Sequence, residues 1–136
     1  MLTITRAIKA SIEAHAVEAY PHECCGVLVG RVEADGRVAV ESARAGNLNT
    51  QRAHDRFDLD PKDYMRIDRE ARARGLDIVG IYHSHPDHPA LPSETDLTAA
   101  WEGYSYIIVA VNRGQPGDFH SYELGDGAFR PEELRC

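Results

Sequence analysis

Three short apolar runs constrain this chain more than any other feature: residues 24–29 (CCGVLV), 78–82 (IVGIY) and 106–111 (YIIVAV). Each is too short for a buried helix, and each reads as a β-strand covered on both faces. Between them the periodicity becomes helical. Ile8, Ile12, Ala16 and Ala19 recur at helical spacing until Pro21, which predicts a first helix over roughly residues 5–20. Asp60 stands as an N-cap with Pro61 in the first helical position, and Tyr64, Ile67 and Ala71 form an apolar stripe that ends at Gly75. A third helix is expected to open at Ser93 and end near Gly103. Val38 and Val40, across an Asp35-Gly36 turn, suggest a hairpin partner for the first run, residues 119–124 a neighbour for the third, and Phe57 with Leu59 a short strand. Strands and helices interleaved in this way specify an α/β (α+β) fold, a mixed central sheet flanked by helices. With 136 residues there is material for one core, hence one domain over residues 1–136.

The formal net charge is −7, with acids and bases mixed along the chain. A non-specific nucleic-acid binder would need a basic footprint, so nucleic acid is not an expected partner. The Arg-rich second helix (Arg66, Arg69, Arg72, Arg74) also carries Asp68 and Glu70 and reads as a solvated face. No apolar stretch is long enough to cross a bilayer, and the first residues lack a signal-peptide core, so no membrane partner is expected and the cytoplasm is the expected address. Three cysteines agree with that address. The count is odd, Cys24 and Cys25 are adjacent, and free thiols are expected.

The second apolar run leads directly into His83-Ser84-His85-Pro86. Strand side chains alternate, so the two imidazoles leave one face side by side. Asp96 follows a proline-rich loop and falls on the first turn of the next helix. Two imidazoles and a carboxylate can hold a tetrahedral zinc ion with a fourth position open, the arrangement of a catalytic site. Simpler readings exist for each part. A histidine pair can be hydrogen-bonded at a strand end, and Ser93-Glu94-Thr95-Asp96 is also a capping pattern. The combination of pair, loop and S-x-x-D favours the metal.

His83-Ser84-His85-Pro86 followed by Ser93-Glu94-Thr95-Asp96 resembles the signature of the JAMM (MPN-plus) zinc metallopeptidases, H-x-H-P and then S-x-x-D. Pro21-His22-Glu23-Cys24-Cys25-Gly26 is similar to the family's first strand, and Asn47, Phe57, Asp60 and Pro61 lie where short bacterial members carry similar residues. The likeness extends from residue 4 to about 124. It implies a cytidine-deaminase-like mixed sheet with zinc at its edge. It also implies zinc ligands at His83, His85 and Asp96, a proton-transferring base at Glu23, and an oxyanion-assisting hydroxyl at Ser93. Small free-standing members resemble peptidases acting after the Gly-Gly tail of ubiquitin-like sulfur-carrier proteins. The implied activity is therefore hydrolysis of a peptide or isopeptide bond at such a tail, which is expected to add to a sheet edge beside the metal. Two other roles share the fold: a metallopeptidase acting in a cell-wall or phage-tail setting, and a non-catalytic binding scaffold.

His83 to His88 also spells H-x-H-x-D-H, the motif of metallo-β-lactamase-like hydrolases, which would use Asp87 and His88. That fold needs a much longer chain and further downstream histidines, and only His120 remains here. A (β/α)₈ barrel with H-x-H needs about 250 residues. His88 is therefore expected to be a loop residue near the site rather than a ligand. His15, His22, His54 and His120 are expected at the surface or behind the ligands, Cys24 and Cys25 as inert core thiols, and residues 46–55 as a candidate flexible loop.

Overall fold

The Thr5 hydroxyl accepts the Ile8 amide at 3.1 Å and opens α1 (Arg6–Ala19). In the computed structural model, which describes residues 1–136, Ile8, Ile12 and Ala16 on this helix are all buried. Asp60 caps α2 (Pro61–Ala73) in the same manner, its side chain accepting the Lys62 amide. The strands are β1 (Leu2–Thr3), β2 (Cys25–Glu33), β3 (Gly36–Ala45), β4 (Asp77–Pro86), β5 (Ser105–Asn112), β6 (Gln115–Gly125), β7 (Ala128–Pro131) and β8 (Leu134–Arg135), with α3 (Glu94–Ala99) between β4 and β5.

All eight strands belong to one mixed sheet of order β7-β6-β5-β4-β2-β3-β1-β8. The β4–β5, β1–β3 and β1–β8 pairs are parallel and the others antiparallel. The outermost strands β7 and β8 are neighbours in sequence. The Glu132 amide, between them, still bonds the Ser121 carbonyl of β6, while the Leu2 amide bonds the Glu133 carbonyl. One carboxyl-terminal segment thus draws the curled sheet shut.

Helices cover both faces. On one, α1 packs with Leu28, Tyr82, Ile107 and Val109; on the other, Ile67 and Ala71 of α2 pack with Val27, Val29 and Ile78. Ile108 and Ala110 face the second side with Tyr106 and Tyr122. β5 is therefore buried on both faces, which is why its sequence does not alternate.

The sheet contains one irregularity that bears on function. Leu28 pairs with Gly80 but Val29 with Ile78, so β4 carries one surplus residue, Val79, at a β-bulge. The side-chain alternation shifts there. Val79 and Tyr82 join the α1 side, while Ile78 and Ile81 both lie toward α2. His83 and His85 continue the Ile81 face.

Two local expectations need correction. Leu59 makes only an isolated bridge with Asn47, so Phe57 and Leu59 form no strand. The third helix ends at Ala99 rather than near Gly103, because Ala100 turns extended (ψ 148°) and the Trp101 amide is taken by the Tyr106 hydroxyl at 2.7 Å. The histidine-bearing strand β4 lies inside the sheet, paired with β2 and β5.

Candidate metal centre

β4 runs three residues past Cys25↔His83, its last pairing with β2 in the ladder, and stays bonded to β5 as far as Pro86↔Val111. His83 and His85 therefore sit on supported backbone where the β2 side opens. Both are buried, at 2% and 1% exposure. Their Nε2 atoms are 3.0 Å apart, and Oδ2 of Asp96 lies 3.2 Å from each. The three predicted ligands thus form a nearly equilateral triangle.

Proton placement makes that triangle electron-rich. Nδ1 of His85 lies 2.7 Å from the Pro89 carbonyl, which can only accept, so Nδ1 carries the proton and a neutral ring presents a lone pair at Nε2. That lone pair faces a carboxylate oxygen and a second imidazole nitrogen. Two ligands about 2.0–2.1 Å from a tetrahedral ion stand about 3.4 Å apart, close to the observed edges. The donor set fits a small divalent cation. Asp96 is prepared for it: burial works to raise its carboxyl pKa, but the adjoining His83 and His85 rings and the Ser93 amide hold it well below the usual range. Burial also pushes the His83 pKa down, against the pull of Asp96, which favours the neutral ring a metal requires.

Asp96 and Ser93 are fixed by a reciprocal cap. The Ser93 hydroxyl accepts the Asp96 amide at 3.0 Å, and Oδ2 of Asp96 accepts the Ser93 amide at 2.9 Å. The capping reading and the site reading hold together, because the cap itself aims Asp96 at the histidines. The Ser93 hydroxyl accepts in this cap and keeps its own proton free to donate.

Glu23 lies just before β2, 3% exposed, with its carboxylate within 4.8 Å of both imidazole donors. Oε1 has no hydrogen-bond partner. Burial first, then the charges of Asp96 and Asp55, push its pKa up to about 8, with Arg56 acting the other way. Its backbone is held by the stretch expected to be a flexible loop: its amide bonds the Ala53 carbonyl, and Asn47 Nδ2 donates to its carbonyl at 3.1 Å.

Sequence reasoning missed the brackets around the pair. Phe57 stacks on His83 at 4.5 Å and His88 on His85 at 4.1 Å. Both come from loops, where no periodicity announces a contact. Beside His83 and Asp96 opens a cavity of about 300 Å³ lined by Phe57, Leu59, Tyr64, Trp101 and Phe129. Cys24 and Cys25 are free and buried, and burial pushes the Cys24 pKa up to about 11, which suits core thiols rather than nucleophiles. Asp87 is not part of the triangle; it accepts hydrogen bonds from the Tyr20 hydroxyl and the Arg113 amide. His15 bonds the Tyr82 hydroxyl on the opposite face.

Residues 5–125 match the model of a family described as prokaryotic homologs of the JAB domain. The desampylase of Haloferax volcanii is 35% identical over 134 residues, spanning 95% of this chain and 91% of that protein. The CysO-cysteine peptidase of Mycobacterium tuberculosis is 29% identical over 135 residues, 98% of this chain and 90% of that protein. A solution structure of a Desulfitobacterium hafniense protein superimposes with a TM-score of 0.87 at 30% identity, covering 98% of this chain and 91% of the other.

Proposed function

Because the chain belongs to the family of prokaryotic homologs of the JAB domain, we propose that it is a zinc metallopeptidase that hydrolyses the peptide or isopeptide bond after the carboxyl-terminal Gly-Gly of a ubiquitin-like sulfur-carrier protein. The observation that carries this reading is the triangle of His83 Nε2, His85 Nε2 and Asp96 Oδ2 with a buried Glu23 carboxylate at its side. The names of the Haloferax and Mycobacterium relatives support the substrate class. No helix is long and apolar enough to cross a membrane, which agrees with work in the cytoplasm on a soluble carrier.

In this reading His83, His85 and Asp96 hold the ion. When bound, it supplies Lewis-acid activation of water and of the scissile carbonyl. Glu23 takes a proton from the attacking water onto a carboxylate oxygen. It then delivers the proton to the departing amine nitrogen. The Ser93 O–H donates to the carbonyl oxygen as negative charge develops there. The loop carrying Asn47 and Ala53 holds Glu23 in place, and Phe57 and His88 hold the imidazoles, so little reorganisation is needed at the moment of reaction.

The test is direct. Zinc-loaded protein is incubated with a sulfur-carrier protein extended by one residue beyond Gly-Gly, and with an isopeptide conjugate, and the products are read by mass spectrometry. Cleavage after the second glycine is expected. A zinc-loaded protein inert on every such tail removes this substrate class.

A further inference from the structure

We propose that His88 is a positioning residue for Glu23: its Nε2–H holds one oxygen of the Glu23 carboxylate so that the other turns toward the histidine pair. The kinetic consequence rests on the proposed peptidase function; the contact itself does not.

Three observations carry it. First, the His88 side chain is 36% exposed, yet Nε2 is fully buried and has no hydrogen-bond partner, so the ring turns a polar atom inward. Second, that atom faces Glu23 Oε2 at 3.8 Å, and Oε1 of the same carboxylate is also buried and unpartnered. Buried polar groups in native proteins find partners, and the Glu23 carboxylate is an acceptor within reach of the unpartnered His88 nitrogen. The gap is slightly longer than a hydrogen bond, and a small torsion in Glu23 closes it, as catalytic contacts tighten when substrate binds.

Third, the ring's place is built. It lies flat on His85, with centroids 4.1 Å apart and planes 10° apart. The backbone on each side of it is anchored. Asp87 adopts φ +57°, bonds the Val111 carbonyl through its amide, and accepts from the Tyr20 hydroxyl at 2.6 Å and the Arg113 amide at 2.8 Å. On the other side the Pro89 carbonyl accepts Nδ1 of His85. His88 is thereby held against His85, with Nε2 facing the Glu23 carboxylate. Its role is to fix which Glu23 oxygen is free.

Two substitutions separate the ring from its nitrogen. His88→Phe keeps a flat ring on His85 and loses the donor; His88→Gln keeps an N–H donor and loses the ring. In zinc-loaded protein, His88→Phe is expected to lower kcat roughly tenfold or more, with KM within about twofold and zinc content unchanged. His88→Gln is expected to recover most of that loss. Unchanged kcat in His88→Phe, or failure of His88→Gln to recover, overturns the proposal. A substrate-free readout separates it from the peptidase reading: a long-range ¹H–¹⁵N spectrum recorded with and without zinc. His88 should be protonated on Nε2, and that signal should move in Glu23→Gln while the His15 signal stays. An Nε2 without a proton, or a signal indifferent to Glu23, overturns the proposal. If the wild-type protein cleaves no carrier, the peptidase reading fails and the spectrum still decides His88.

Discussion

Glu23 shows how much of this site is decided by single side chains. Its carboxylate is buried, one oxygen is unpartnered, and its backbone is pinned by Asn47 and the Ala53 carbonyl. In the proposed mechanism Glu23→Ala removes the base and leaves the triangle, so zinc content by elemental analysis should stay at the wild-type level while kcat falls about 10²–10⁴-fold. A different residue governs pH. His15 bonds Tyr82 from the far side of β4, and burial first, then Arg44, lower its pKa to about 4, with Glu18 opposing. The unfolded chain takes up this proton near pH 6.5 and the folded one only near 4, so the contribution of His15 is intact above pH 6.5 and is lost as pH falls through that window. The loss should be about 1–2 kcal/mol, reduced from the full shift because the ring is partly exposed. Urea titrations at pH 7 and pH 4.5 check it, since His15→Gln should flatten the difference. The histidine pair and Asp96 stand in a spaced motif, whereas Glu23 is marked in the sequence only by the family resemblance. The stacking of Phe57 and His88 on that pair left no such signal, since both are loop residues with no periodicity to mark which side chain they meet.

At the scale of elements, the continuous apolar runs marked β2, β4 and β5 correctly but hid which face each residue takes. A strand buried on both sides carries no alternation, so the surplus Val79 left no trace in the pattern. The two-residue strands β1 and β8 are too short for any periodic signal. Close backbone approach near the bulge is also specified by single residues. A Cβ at Gly30 would lie 1.8 Å from the Val38 carbonyl oxygen of β3, with backbone rather than a yielding side chain in the way. Gly30→Ala is expected to cost about 3 kcal/mol or more, seen as a sharp drop in denaturation midpoint or as failure to fold. Gly75, with open space around it and φ +74°, ends α2 for a different reason, since only its backbone conformation calls for glycine.

For the molecule as a whole, the closing segment matters most. β7 extends β6, β8 extends β1, and the two are one stretch of chain, so the sheet's ends are tied by residues 128–135. Removing residues 128–136 should replace one cooperative thermal transition with a broad, lower one, measurable by circular dichroism, because both outer pairings go at once. A wild-type-like melt in the truncated protein would show that the closure contributes nothing. The segment also fixes an order of events during synthesis. A chain leaving the ribosome amino end first can assemble the inner strands and even the histidine pair early. Its first strand-to-be, Leu2–Thr3, must wait with one flank bare until Leu134 and Arg135 have emerged. The time between those moments is when nascent chains stand exposed to one another, and it lengthens with every pause in translating the residues between.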